Sequence, residues 1–105
     1  MSKRLVFALA GMTAFAAYAV DAPLIGDPDA GAGKASTCAA CHGMDGNSPA
    51  PEWPKLAGQH ADYTHRQTVL VRDGGRENLT MLPFVQGLSD QDIADLCASF
   101  QEAVA

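Results

Sequence analysis

Cysteine is scarce in this chain. Three are present among 105 residues, an odd number that excludes the full disulfide framework by which small exported domains compensate for a thin core. Positive charge is scarce too. Seven Lys and Arg stand against twelve Asp and Glu, a formal charge of −5, and nucleic-acid partners, which want basic patches, are excluded on that ground. No stretch alternates apolar and polar residues as a half-buried strand would, and no repeat is visible. The fold class implied is all-α. Only one long apolar run exists, and it lies at the N-terminus.

That run has the layout of a secretory leader. "MSKR" is a short basic start, Leu5 to Ala19 is continuously apolar, and "AYA" fits a small-x-small cleavage pattern. About 15 apolar residues is short for a spanning helix, which needs roughly 20, so an uncleaved anchor is the weaker reading. The expected division is residues 1–19 as leader and 20–105 as one small domain, soluble and not inserted in a membrane. Losing Lys3 and Arg4 takes the charge from −5 to −7. A domain so acidic favours partners with a positively charged docking surface. It is also poor in large apolar side chains for its size, so something other than side chains is expected in its interior.

Asp27 and Pro28 read as N-cap and first residue of a helix that runs through "DAGAGKASTCAAC" to about Cys41. Gly31 and Gly33 cost roughly 1 kcal/mol each there against Ala, which a closely crossing element would explain. Residues 43–58 are a loop rich in Gly and Pro, long enough to be functional or to wrap something. "HADYTHRQTVLVRDGG" is a second helix, with Tyr63, Gln67, Leu70 and Val71 on one face and Gly74-Gly75 as its stop. An irregular segment, "RENLTMLPFVQG", precedes the clearest helix. There Ser89 and Asp92 form an acidic capping box, followed at helical spacing by Ile93, Leu96, Cys97, Phe100 and Val104.

The chemistry is concentrated in residues 38–42, "CAACH". A thioredoxin-like dithiol would sit between a strand and a helix, and no strand is present. A structural zinc site needs a second ligand pair, yet downstream there are only His60, His65 and the solitary Cys97. A plain Cys38–Cys41 disulfide would constrain little. The strongest reading of C-x-x-C-H is covalent haem attachment. Two thiols one helical turn apart can add to the vinyl groups of adjacent pyrroles, and the next residue offers its imidazole to the iron. Cys38 and Cys41 are then thioether donors and His42 the proximal ligand. Haem c, with its iron, also supplies the missing core.

A sixth ligand must come from the other haem face. Met44 follows His42 by two residues and cannot pass round the ring. Met81, in the irregular segment between Asn78 and Pro83, can, and His/Met ligation holds the potential high. His60 and His65 read as exposed polar residues on or beside a helix. No distal acid–base set is visible, so an electron-transfer protein is expected rather than an enzyme.

The segments "GDPDAGAGKASTCAACHGMDGNSPAPEWPKLAG" and "TMLPFVQGLSDQDIADL" resemble the small class I bacterial cytochromes c, mono-haem or di-haem, over nearly the whole of residues 20–105. The resemblance implies that family's fold, with N- and C-terminal helices crossing around one covalently bound haem, Gly31 at the close approach and Phe100 in the contact. It implies that the Pro54 carbonyl accepts the His42 Nδ1–H, that Leu56 and Trp53 pack on or near the ring, and that Arg76 and Gln59 stand near the propionates or the Met81 loop. Thr64, His65 and Thr68 depart from it, since members often carry more apolar residues there. Cys97 is expected to be a buried free thiol. The function implied is a periplasmic mono-haem one-electron carrier between respiratory or dehydrogenase partners, by default a quinol-oxidising complex and a terminal oxidase or reductase. A cytochrome subunit of a dehydrogenase complex and a haem-based gas-binding protein are the alternatives.

Overall fold

A computed structural model describes residues 24–105 together with Arg4 and Gly11. The expected leader and its boundary otherwise lie outside the described residues. Five helices follow one another: α1 Pro28–Lys34, α2 Ser36–His42, α3 Ala61–Asp73, α4 Leu82–Val85 and α5 Asp90–Glu102. No strand occurs among the described residues, in keeping with the all-α reading. No helix among them is long and apolar enough to cross a membrane.

The expected helix starts are present. The Asp27 side chain caps α1 by accepting from the N–H groups of Asp29 and Ala30. The Ser89/Asp92 capping box closes in both directions, at 3.0 Å each. Two boundaries differ from the sequence reading. The first helix is broken at Ala35, whose N–H reaches back only three residues to Ala32 at 3.4 Å, so α1 and α2 are separate short helices. No proline marks such a tightened turn in the sequence. The last helix stops at Glu102, and Val104 is solvent-exposed rather than part of the apolar stripe. The segment around Met81, read as irregular, contains the single turn α4.

α1 crosses α5, and the crossing is closer than a side chain allows. A Cβ on Gly31 would run into the carbonyl oxygen of Asp95 and lie 2.9 Å from the Cβ of Ser99, and one on Gly26 would meet the carbonyl of Ala94. A Cβ on Gly33 meets nothing within 4 Å, so the crossing explains Gly31 and not Gly33.

Polar ties then fix the two outer helices to α5. Asp95, buried on α5, accepts from the Asp27 N–H at 2.8 Å, Lys34 Nζ at 2.7 Å and Gln91 Nε2 at 2.8 Å. One carboxylate therefore grips both ends of α1. On the other side, the Ala61 N–H donates to Gln101 Oε1 at 2.6 Å, and Arg72 pairs with Asp90 at 2.6 Å while donating to the Leu88 carbonyl.

The Asp27 N–H, then Lys34 and Gln91, hold the Asp95 carboxyl down to about 2. An unfolded Asp titrates near 3.9. The depressed value means that this stabilisation is fully present above about pH 4 and is lost as pH falls through about 2. Acid unfolding followed by circular dichroism should therefore steepen in that window, and Asp95→Asn should flatten the dependence while lowering stability at neutral pH. Parallel curves for the two proteins would contradict the assignment.

Candidate functional site

The buried side chains that remain are few. Val71, Val85, Ile93, Leu96 and Phe100 are the larger apolar ones, and only Ile93 is completely enclosed. They surround a cavity of about 420 Å³, within the roughly 300–1,000 Å³ usual for ligand and cofactor sites. α2 supplies Cys38 and His42 to its lining, the 43–58 loop Trp53, Pro54 and Leu56, and the segment before α4 Met81. α3 and α5 form the remaining walls. Residues separated by up to 62 positions, Cys38 to Phe100, thus meet at one space.

The loop is set in place by its own backbone. The Gly46 carbonyl accepts from both Leu56 and Ala57, at 2.9 and 3.1 Å, and the Gly58 N–H donates to the Phe100 carbonyl at 2.9 Å. Gly46 has φ 76° and lies against the Ala57 nitrogen and the Phe100 ring, a position that admits no side chain on either count. The loop so held brings the Pro54 carbonyl to 2.7 Å from His42 Nδ1. Pro54 lacks an N–H, but its carbonyl remains a full acceptor. With Nδ1–H donated there, the lone pair of the buried His42 ring resides on Nε2. The ring is oriented and has one free ligating nitrogen.

Met81 is held as firmly. Its N–H donates to Asn78 Oδ1 at 3.0 Å, and the Leu82 N–H donates to the Asn78 carbonyl at 3.0 Å. Pro83 in the first turn of α4 then restricts the chain that follows.

Of the residues singled out in the sequence, Cys38, His42, Pro54, Leu56, Trp53 and Met81 line the cavity, as do Gln59 and Arg76. Cys41 is half-buried one turn after Cys38 and is not among the lining residues. Burial pushes the Cys38 thiol up, which keeps it protonated. Met44 is 87% exposed, consistent with its elimination as a ligand. His60 is exposed as expected. His65 is not: it is half-buried, and its Nε2 has no hydrogen-bond partner. Cys97 is buried and free, and it lines the cavity, a role the sequence reading did not give it. Thr64, Thr68, Val85 and Leu88 were also missed. The Thr pair carried a signal, its polarity on an otherwise inward face.

The donor set suits an iron porphyrin. A thiol, an imidazole with a free nitrogen and a thioether surround one largely apolar space, and imidazole and thioether are the haem ligands that raise potential. Cys38 lines that space, and Cys41 stands one helical turn further along α2.

Comparison with known proteins agrees. A family model described as Cytochrome c matches residues 29–98. The chain is 53% identical over 75 residues to cytochrome c4 of Pseudomonas aeruginosa, covering 71% of this chain and 37% of that protein. It is 47% identical over 78 residues to cytochrome c-554(548) of Halomonas halodenitrificans, covering 71% and 94%. The crystal structure of reduced recombinant cytochrome c4 from Pseudomonas stutzeri superposes with a TM-score of 0.73 at 44% identity, covering 75% of this chain and 46% of that one. The chain therefore spans less than half the length of the cytochrome c4 proteins it matches, and nearly all of the shorter relative.

Proposed function

Because the chain belongs to the cytochrome c family and so carries covalently bound haem c with its iron, we propose that it is an exported, periplasmic one-electron carrier with a single haem. Cys38 and Cys41 would hold the haem through thioether links, and His42 and Met81 would ligate its iron. The observation that carries this reading is the cavity shared by Cys38, His42 and Met81, with His42 oriented through Nδ1 by the Pro54 carbonyl at 2.7 Å.

The bound haem supplies the ferric/ferrous couple. The chain's part is to hold the imidazole in one tautomer, to present the thioether from a fixed turn, and to keep water from the ring with Leu56 and the α3 and α5 walls. Membership of the cytochrome c family makes the chain an electron-transfer protein. One haem is supported by the one C-x-x-C-H motif in the sequence. Export is supported by the N-terminal run of residues 1–19, which reads as a cleaved leader.

For partners, the reading is a redox protein that presents positive charge to this acidic domain. Lys34 and Arg72 are engaged by Asp92, Asp95, Asp73 and Asp90, so two of the five Lys and Arg of residues 20–105 are neutralised within the molecule. Docking of this kind is brief and small in area, and its rate should fall steeply with added salt.

Voltammetry of the haem-loaded chain tests the proposal. One reversible one-electron wave per chain is expected, with no carbon monoxide adduct of the ferrous form. Two waves would refute the single haem, and ready carbon monoxide binding would refute a closed His/Met site.

A further inference from the structure

The cavity wall built by α3 and α5 carries polar side chains among Val71, Ile93, Leu96 and Phe100. Thr64 and Thr68 on α3 and Cys97 on α5 all line it. The two hydroxyl protons are committed to the backbone of their own helix. Thr64 Oγ1 donates to the Ala61 carbonyl at 3.2 Å, and Thr68 Oγ1 donates to the Thr64 carbonyl at 2.7 Å. Their oxygen lone pairs remain uncommitted, and Cys97 lines the same cavity. Burial pushes its thiol up, while hydrogen bonding with Thr64 and Thr68 opposes the shift. Neither hydroxyl is left orphaned: among the described residues the buried side-chain nitrogen or oxygen without a partner is His65 Nε2. The two hydroxyls are thus satisfied without water and fixed in orientation.

On the reading that haem occupies this cavity, we propose that Thr64, Thr68 and Cys97 act together as a potential-setting wall that favours the ferric state. The physical reason is the charge difference between the two oxidation states. Ferric iron carries one more positive charge than ferrous, and a wholly apolar wall penalises the more charged state by desolvation. Fixed dipoles with oxygen and sulfur lone pairs at the wall offset that penalty, and the polarity of the shell around a metal is a recognised lever on its potential. The three are positioning residues for the electron-transfer step and touch no axial ligand role. The potential is therefore lower than His/Met ligation in an apolar pocket would give.

The test is spectroelectrochemical titration of the haem-loaded protein and of Thr64→Val, Thr68→Val, Cys97→Val and Cys97→Ser. Valine keeps the shape of threonine and removes the hydroxyl, and serine keeps a polar hydrogen-bonding group at position 97. Each valine variant should raise the ferrous-to-ferric ratio at fixed potential by about three- to tenfold, tenfold being 59 mV for one electron. Cys97→Ser should remain close to the parent. Haem content and melting temperature are read in parallel, since a purely structural role would lower stability and leave the potential in place. If Cys97→Val does not fold, the two threonine variants decide. Unchanged or lowered potentials in variants with full haem content overturn the wall's role, whereas a parent chain without haem overturns the underlying site reading instead.

Discussion

Replacing Met81 by Ala should lower the midpoint potential by on the order of 0.1 V or more and open the ferrous iron to carbon monoxide. Axial ligation moves haem potentials across about 0.8 V, and a thioether stabilises the ferrous state relative to water or a second imidazole. The structure makes Met81 the only methionine suited to this role among the described residues: it lines the cavity, whereas Met44 points its side chain largely into solvent. Asn78 and Pro83 hold the chain on either side of it, so a neighbouring group cannot easily take its place. Because Met81 is half-buried at the cavity wall, its truncation should leave the fold in place. An unchanged potential and no carbon monoxide adduct would remove Met81 from the ligand set.

Gly31→Val should destabilise the domain by about 3 kcal/mol or more, enough to leave a marginal fold largely unfolded. The added carbons would collide with the backbone carbonyl of Asp95 rather than with a side chain that could rotate away. Relief requires α1 to lift from α5, which also breaks the Asp27–Asp95 and Lys34–Asp95 contacts. The effect of Gly33→Ala should have the opposite sign. No heavy atom lies within 4 Å of its Cβ position, and Ala gains up to about 1 kcal/mol over Gly inside a helix. Thermal melts of the two variants against the parent give the comparison. Equal destabilisation by both would mean that the helix crossing is not where the structure places it.

The contrast between these two glycines shows what the sequence could and could not reveal. Both stand in the same helix at the same cost, and nothing local distinguishes them. Only the path of α5, some 64 residues downstream at Asp95, decides which one is needed. Asp95 itself was invisible for the same reason: an Asp on an acidic helix reads as a solvated charge until α1 is laid across it. The break at Ala35 escaped notice because no proline marks it and Lys34 and Ala35 themselves favour helix. His65 was read as exposed from its polarity, whereas it is half-buried.

The local signals were sound. The Asp27–Pro28 start, the Ser89/Asp92 capping box and the glycine stop after Asp73 each depend on residues within a few positions of one another, and the structure contains all three. The site was legible for a different reason. C-x-x-C-H encodes a spacing that chemistry demands, and Met81 followed by elimination, so Cys38, His42 and Met81 could be named without the fold. The polar wall of Thr64, Thr68 and Cys97 could not, because it joins two helices whose facing surfaces are set by packing.

A pyridine haemochrome spectrum of the exported chain, taken after acid–acetone extraction, bears most directly on the whole account. One haem per chain, resistant to extraction and with the absorption of a ring saturated at both vinyl positions, is the expected result. A colourless product, or haem that leaves with the solvent while Cys38 and Cys41 titrate as free or mutually joined thiols, would contradict it.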